Sequence, residues 1–189
     1  MMPFLTLYTP TYRRPQGLAR NLASVQAQTA VADIEQIVIP DHVGVGIGGM
    51  FSRVQHYADA VHGQYVMFLC DDDLLASTDA VSQLRDIAQA QSFPELLIVQ
   101  ARKGGATWPA PPAWPPRMGY IDLNCLVVRS DIWKRHVGQY GDRYEGDFDF
   151  AHALWSAGVS AVSVDLLVSS GGVSRGAAER ADDFVAVPV

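Results

Sequence analysis

Three consecutive aspartates, Asp71, Asp72 and Asp73, follow the apolar run from Tyr65 to Cys70. The composition of that run predicts a buried strand, which delivers the residues after it to one edge of a sheet. Carboxylates crowded at such an edge repel one another, and their pKa values rise unless a cation neutralises them. Closely spaced carboxylate oxygens suit Mg2+ or Mn2+, and Mg2+ is usually held by few carboxylates together with phosphates. The triplet therefore predicts a site for a metal ion and a diphosphate.

A single aspartate after a strand is more often a turn former or a helix cap than a ligand. Three of them at the end of a buried strand shift the balance, because their mutual repulsion is costly without a function that uses it. A metal site or a ribose site is therefore favoured over a turn for this segment.

Strand and helix patterns alternate along the first half of the chain. The predicted strands are residues 4–8, 34–39, 65–70 and 95–101, and helices are predicted from Pro15, after the glycine-rich residues 44–49, and after Thr78 as a cap. Repeating β-α units predict an α/β domain with a mostly parallel twisted sheet and helices on both faces. Ligands of such sheets bind beyond the carboxyl ends of the strands. Residues 9–14, Asp41 and the aspartate triplet all lie at predicted ends of this kind.

The second half begins with residues 107–117, in which prolines alternate with Trp108 and Trp114. This composition excludes a regular helix or an inner strand and predicts a surface loop. Two interpretations stay open, a rigid connector or an aromatic wall beside the site, since tryptophan faces suit sugar rings. Later elements are predicted as a strand over 120–129, a helix over 147–155, a strand over 160–168 and a flexible stretch over 169–176. We expect one domain, residues 1–176, and a C-terminal tail, residues 177–189.

Two further segments have competing explanations. The glycines between Gly44 and Gly49 do not have the spacing of a dinucleotide fingerprint, and no lysine follows them as in a phosphate-binding loop. A mobile turn near the ligand is the favoured interpretation. Asp147 opens a predicted helix, where a carboxylate either caps the helix or, if it faces a cleft, acts as a general base. The sequence leaves both roles of Asp147 open.

Composition narrows the class of protein. Hydrophobic residues make up 49% of the 189-residue chain and charged residues 18%, which predicts a compact globular protein. The net charge of −6 disfavours a broad nucleic-acid surface. Cys70 and Cys125 lie in apolar runs and are expected to be buried side chains and not metal ligands. No transmembrane segment or signal peptide is predicted, so a cytoplasmic location is expected.

Taken in order, several segments resemble glycosyltransferases of family 2, which have the GT-A fold. The matching segments are Thr-Pro-Thr-Tyr-Arg-Arg-Pro at 9–15, Ser-Val-Gln-Ala-Gln-Thr at 24–29, Gly-Gln-Tyr to Asp-Asp-Asp at 63–73, Gly-Asp-Phe-Asp-Phe at 146–150, and Gly-Val-Ser-Arg at 172–175. The likeness covers about residues 4–175, and the combination is more specific than any single segment.

This resemblance implies a metal-dependent, inverting glycosyltransferase that uses a nucleotide-diphosphate sugar, with a UDP-sugar as the favoured donor, and an unidentified hydroxyl acceptor. It implies that the general base is Asp147. The implied donor-site residues are Thr9, Pro10, Tyr12 and Arg13 beside the nucleotide, Asp41 at the base, Asp71 at the ribose, Asp72 and Asp73 at Mn2+ or Mg2+, and Arg175 over the diphosphate.

The sequence also departs from the family pattern. Asp41 stands alone where the family usually carries Asp-Asp-Gly-Ser, and Cys70 occupies the usual position of the first aspartate of the family's longer acidic motif. Ser169 and Ser170 stand where a histidine is expected before the late loop. A non-catalytic or degenerate sugar-nucleotide binder therefore remains an alternative. A nucleotidyltransferase is a further one, although it would need a glycine-rich loop after the first strand, and residues 9–15 contain no glycine.

Overall fold

A computed structural model describes residues 2–109 and 113–171 of the chain. Arg175 and the predicted boundary at residue 176 lie outside these residues, so both remain predictions. The elements are β1 (Leu5–Thr11), α1 (Pro15–Gln26), β2 (Ile34–Pro40), α2 (Gly46–Val54), β3 (Tyr65–Phe68), β4 (Asp73–Leu75), α3 (Ala80–Ala90), β5 (Leu96–Lys103), β6 (Ala106–Trp108), β7 (Leu126–Arg129), α4 (Ser130–His136), α5 (Gly146–Ser156) and β8 (Ala161–Gly171). Within the described residues, no helix is both long enough and apolar enough to span a bilayer.

The strands form one mixed sheet in the order β2-β1-β3-β7-β5-β8-β4, with β6 paired to β5. β1 pairs in parallel with β2 and β3, and β5 pairs in parallel with β8, while β7 is antiparallel to both β3 and β5. Consequently β1, β2, β3, β5 and β8 share one direction, and most of the paired residues belong to parallel ladders. The predicted α/β architecture with a mostly parallel sheet is confirmed.

The predicted pattern did not include a reversed strand in the middle of the sheet. β7 begins at the edge of the sheet where β5 ends, so the chain runs back along β5 in the opposite direction. The two strands therefore pair antiparallel, which needs no long crossover connection. The reversed β7 separates the first three strands from β5 and β8.

Side chains alternate between two hydrophobic clusters along the strands, as a period of two requires. On β3, Tyr65 and Met67 enter the cluster that also contains Val25 of α1 and Leu84 of α3. Val66 and Phe68 enter the opposite cluster, which contains residues of α2, α4 and α5. Helices therefore cover both faces of the sheet, as predicted.

The glycine-rich segment differs from its prediction as a mobile turn. α2 begins at Gly46, so three of the glycines are helical. A Cβ atom at Gly48 would lie 1.8 Å from the carbonyl oxygen of Asp142, which shows that α2 touches the backbone before α5. Glycine is needed there for close packing and not for mobility, and local composition does not distinguish the two.

Three other boundaries also differ from the predictions. The strand predicted over 120–129 is regular only from Leu126, because a 3-10 turn, Leu123–Cys125, precedes it. Asp73 is the first residue of β4, which pairs with the end of β8. Residues 169–171, predicted to be flexible, are therefore held in the sheet by that pairing.

Asn21 of α1 connects the helix to the turn that contains the aspartates. Its buried amide nitrogen Nδ2 lies 2.9 Å from both the Cys70 and the Asp73 carbonyl oxygens and 3.3 Å from that of Leu69. Its Oδ1 accepts a hydrogen bond of 2.7 Å from Gln36 of β2. One side chain thus satisfies buried carbonyls on both sides of the turn, which would otherwise lose their hydrogen-bond partners.

We expect Asn21→Leu to lower the free energy of unfolding by about 2–4 kcal/mol, because several buried backbone carbonyls lose their donor. Urea denaturation at neutral pH measures the change. Gln26→Leu is the matched control, since Gln26 is an exposed residue of the same helix. Equal stability of the two variants would contradict this role of Asn21.

Candidate functional site

The carboxyl ends of five parallel strands meet at one edge of the sheet. β1 leads there to residues 9–14, β2 to Asp41 and β3 to the aspartate triplet, as the sequence predicts. β5 adds Lys103 and β8 adds Gly171, neither of which was predicted to join the site. This edge is where sheets of this kind bind their ligands.

Asp73 is fully buried at this edge and depends on two polar neighbours. Its Oδ2 accepts a 2.6 Å hydrogen bond from the Asn124 amide and lies 3.6 Å from Nζ of Lys103. The same ammonium lies 3.0 Å from Asp122 Oδ1. Burial raises the pKa of Asp73 above its ordinary value, while Lys103 and Asn124 act in the opposite direction.

The second oxygen of Asp73, Oδ1, is buried and has no hydrogen-bond partner among the residues that the structure describes. It faces Gly171 of β8, where a Cβ atom would lie only 2.5 Å from it. A buried carboxylate oxygen without a partner is uncommon and needs an explanation, such as an ion or a functional role. Of the two carboxylate oxygens of Asp73, Oδ1 is the one that contacts neither Asn124 nor Lys103 in the interactions given above.

Arg14 binds the other two aspartates of the triplet. Its Nη1 donates to Oδ1 of the buried Asp71 at 2.9 Å and lies 3.7 Å from Oδ1 of Asp72. The Asp72 side chain is 25% exposed, whereas those of Asp71 and Asp73 are almost fully buried. The adjacent Arg13 is exposed, has a φ of 52°, and places its guanidinium 5.2 Å from the centre of the Tyr12 ring.

Three neighbouring side chains could hold a metal ion, and two of them suit a hard divalent cation. Ligand atoms of Cys70, Asp72 and Asp73 lie within 4.8 Å of one another. Burial, followed by the charge of Asp73, raises the pKa of the Cys70 thiol well above its usual range, so this sulfur stays protonated. Mg2+ and Mn2+ prefer oxygen, which leaves Asp72 and the unpartnered oxygen of Asp73 as the suitable ligands.

Asp41 is mainly engaged with its own loop. Its carboxylate accepts hydrogen bonds from the backbone N–H groups of Val43, Gly44 and Val45 at 2.7 to 3.0 Å, and from Arg53 at 3.1 Å. Burial opposes ionisation, but these donors hold the pKa of Asp41 below its ordinary value. The structure therefore places Asp41 at the predicted edge, where it orders the segment that leads into α2.

The residues of β1 have different environments. Thr9 is buried, and its hydroxyl accepts a 2.8 Å hydrogen bond from Gln36. Pro10 and Tyr12 are partly exposed, and a Cβ atom at Gly44 would lie 2.7 Å from the Tyr12 hydroxyl. Pro10 and Tyr12 can therefore contact a ligand directly, whereas Thr9 supports the strand beneath them.

Asp147 lies in the first turn of α5, and its charge is coupled to the same site. Its pKa is raised to about 6: burial is the largest cause and the Asp122 charge adds to the rise, while the Phe148 N–H and Lys103 oppose it. The Phe148 N–H donates to Oδ1 at 2.7 Å. A carboxyl group with such a pKa changes protonation near neutral pH, which is the property of a general base.

Sequence reasoning missed Arg14, Lys103, Asp122 and Asn124 as members of the site. Lys103 and Asn124 are far from the triplet in sequence and reach it only through the sheet pairing of β5 and the turn before β7. Lys103 did carry a signal, since it is one of only two lysines in the chain and stands at the end of a predicted strand.

Comparison with known proteins supports the fold. No protein-family model matches the chain, and no curated protein matches its sequence. Among solved structures, S. aureus TarS in complex with UDP is similar with a TM-score of 0.62 at 12% identity, over 88% of this chain and 60% of that one. The mannosyltransferase PcManGT from Pyrobaculum calidifontis, in complex with GDP-Man and Mn2+, has a TM-score of 0.65 at 12% identity, over 93% of this chain and 59% of that one.

A nucleotidyltransferase is also similar. The structure of a CMP:2-keto-3-deoxy-manno-octonic acid synthetase complexed with CTP has a TM-score of 0.58 at 10% identity, over 95% of this chain and 96% of that one. The chain spans only 59–60% of the TarS 1–349 and PcManGT structures, and 37% of another TarS structure. At these identities the comparisons show the fold, which is that of GT-A-type glycosyltransferases and related nucleotidyltransferases.

The raised pKa of Asp147 predicts a pH-dependent effect of Asp147→Asn on stability. Between the ordinary pKa of 3.8 and about 6, the folded protein keeps the Asp147 proton and the unfolded chain loses it, so wild-type stability falls as pH rises. The stability of the Asp147→Asn variant does not fall in this way, because asparagine does not titrate. We expect its free energy of unfolding, relative to wild type, to rise by about 2–3 kcal/mol between about pH 4 and pH 7.

Urea denaturation of both proteins across this pH range measures the difference. Asp86→Asn is the matched control, because the Asp86 side chain is 72% exposed. A difference between Asp147→Asn and wild type that is independent of pH would contradict the raised pKa.

Proposed function

We propose that this chain is a glycosyltransferase domain that transfers a sugar from a nucleotide-diphosphate donor to an acceptor hydroxyl with inversion at the anomeric carbon. The observation that supports this most directly is the shared electrostatic environment of the acidic turn and Asp147, linked through Lys103 and Asp122. This shared environment supports a candidate donor site and a candidate general base that act on the same ligand. The fold of the chain agrees with that activity.

In this proposal the donor nucleotide lies across the carboxyl ends of β1 to β3. Pro10, Tyr12 and Arg13 border the nucleotide, with Thr9 supporting them, and Asp41 lies toward the base. Asp71 receives the ribose hydroxyls, because Arg14 engages only one of its oxygens. Arg14 itself, which is 37% exposed at its side chain, supplies positive charge for the diphosphate. A UDP-sugar is the first donor to test, followed by GDP-sugars.

A divalent cation, Mn2+ or Mg2+, would be held by Asp72 and by the unpartnered Oδ1 of Asp73. When bound, such a cation offsets the negative charge of the leaving diphosphate. Arg175, which lies outside the described residues, is proposed to close over the diphosphate from the late loop.

The reaction itself needs one proton acceptor. Asp147, ionised above a pH of about 6, takes the proton of the acceptor hydroxyl, and the acceptor oxygen forms a bond to the anomeric carbon. The bond from that carbon to the diphosphate oxygen breaks on the opposite face, and both of its electrons leave with the nucleoside diphosphate. The configuration at the anomeric carbon inverts, and the proton on Asp147 passes to solvent.

The proposal is tested by incubating the protein with UDP-, GDP-, CMP- and dTDP-sugars, with and without Mn2+. Thermal shift reports donor binding, since a ligand of the native state raises its apparent stability, and chromatography reports the released nucleotide. We expect one donor class to bind and to be hydrolysed slowly without an acceptor. Asp72→Asn should weaken Mn2+-dependent donor binding by about tenfold or more, and Asp86→Asn should not.

Asp147→Asn separates an enzyme from a binder of the same ligand. We expect this variant to bind the donor as wild type does and to lose turnover by about a hundredfold or more, because only the general base is removed. Turnover that does not change in Asp147→Asn contradicts the proposed mechanism. Binding of a donor without turnover in wild type indicates a non-catalytic sugar-nucleotide binder.

A nucleotidyltransferase is the second candidate, and one observation favours it. The similar synthetase structure is matched over nearly its whole length, unlike the glycosyltransferases. An enzyme of this class transfers the nucleoside monophosphate group of a nucleoside triphosphate to a sugar oxygen and releases the other two phosphates as pyrophosphate. Incubation with each triphosphate, a sugar acid or sugar phosphate, and a pyrophosphate assay distinguishes the two activities.

A further inference from the structure

A cavity of about 450 Å3 is lined by residues of β5 and β8 and by Pro109, Ala113 and Trp114. Its lining includes Gln100, Trp114, Ser163 and Asp165, and none of the residues of the acidic site. The volume is within the range of about 300–1,000 Å3 found for small-molecule sites. The mechanism proposed above does not use this cavity.

An irregularity in the sheet places polar side chains in the wall of the cavity. Ile98 of β5 pairs with Ser163 of β8, but the next paired residue, Gln100, is opposite Leu167. β8 therefore has more residues than β5 between these pairs, and it bulges. Bulges of this kind redirect side chains and often occur next to functional sites. Asp165 lies in the bulge, and its Oδ1 accepts a 2.9 Å hydrogen bond from Gln100 Nε2.

The chemistry of the lining suits a sugar ring. Trp114 is partly exposed and offers an apolar aromatic surface. The exposed Asp165 keeps a second carboxylate oxygen as an acceptor, and Ser163 adds an exposed hydroxyl. A ligand with both C–H faces and several hydroxyl groups satisfies these partners together. Asp165 disfavours an anion such as a phosphate, because like charges repel.

One strand, β5, contributes residues both to the cavity and to the proposed reaction centre. Gln100 precedes Lys103 by three residues on the same strand, which is about 10 Å at the usual rise per residue. We infer that this cavity binds one sugar ring of an oligosaccharide acceptor, at a position remote from the hydroxyl that receives the new sugar. This inference rests on the proposed glycosyltransferase function and adds to it the class of acceptor, a sugar chain and not a single small alcohol.

A printed glycan array probed with the labelled full chain tests the inference without any turnover. The dissociation constant of the best-bound oligosaccharide is then measured by titration calorimetry for wild type and variants. We expect Trp114→Ala to raise it by about tenfold or more, since the main apolar contact is lost. Asp165→Asn, a conservative change at an exposed residue, should raise it by about threefold to tenfold.

Trp155→Ala is the matched control, because this tryptophan is 45% exposed on α5 and does not line the cavity. Near-ultraviolet circular dichroism establishes that each variant is folded. The inference is overturned if no glycan on the array binds, if neither variant weakens binding, or if Trp155→Ala weakens it equally. It is also overturned if Trp114→Ala changes the oligomeric state in solution, since a second copy of the chain would then cover the cavity.

Donor hydrolysis distinguishes a failure of this inference from a failure of the proposed function. Trp114→Ala and Asp165→Asn should leave donor hydrolysis unchanged, because neither residue belongs to the donor site. Normal hydrolysis with no glycan binding refutes the acceptor cavity alone. No hydrolysis or binding of any donor by wild type refutes the transferase, and with it the acceptor role of the cavity.

Discussion

The burial of the Asp73 carboxylate is the constraint on which the rest of this site depends. A carboxyl group with no exposed surface is costly to ionise unless charges and hydrogen bonds replace its water. Lys103 and Asn124 provide that replacement, and each comes from a different part of the sheet. The requirements of one side chain therefore bring β4, β5 and the turn before β7 together.

The shared strand direction explains why these parts meet at one edge. β1, β2, β3, β5 and β8 all point their carboxyl ends to the same side, although β7 runs against them. The reversed strand contributes from its amino-terminal end, so the preceding turn, with Asp122 and Asn124, also lies at this edge. Reversal of β7 is thus part of the site, because a parallel strand would have taken that turn to the other side.

The sequence predicted the local parts of this arrangement well. Helical spacing identified α1, α3 and α5, apolar runs identified β1, β2, β3 and β5, and the resulting direction placed Asp41 and the triplet at one edge. The contacts between distant segments were not predictable, because no local pattern records them. Whether Arg13 or Arg14 faces the carboxylates depends on backbone angles after β1, and Arg13 has a positive φ that its neighbours in sequence do not reveal. The role of Gly48 likewise depends on a contact with residue 142.

The charges at the site give a physical reason to expect a bound metal ion, and this reason does not depend on any resemblance to a family. Among the described residues, five carboxyl groups at or near this edge affect one another, and the basic side chains that form ion pairs with them are Arg14 and Lys103; the carboxyl groups are those of Asp71, Asp72, Asp73, Asp122 and Asp147. Burial is the main cause of the raised pKa values of Asp73 and Asp147, and the negative charge of Asp122 adds to both shifts, so ionisation of these two groups is already unfavourable.

The diphosphate of the proposed donor would add further negative charge to the same site, where a low dielectric strengthens the repulsion. Arg14 and Lys103 already offset part of the charge of their own partners, so they cannot fully neutralise a donor as well. A divalent cation held by Asp72 and Asp73, as proposed, would offset the charge of the diphosphate. Its positive charge would also lower the pKa of Asp147, which would favour the ionised form of the proposed general base.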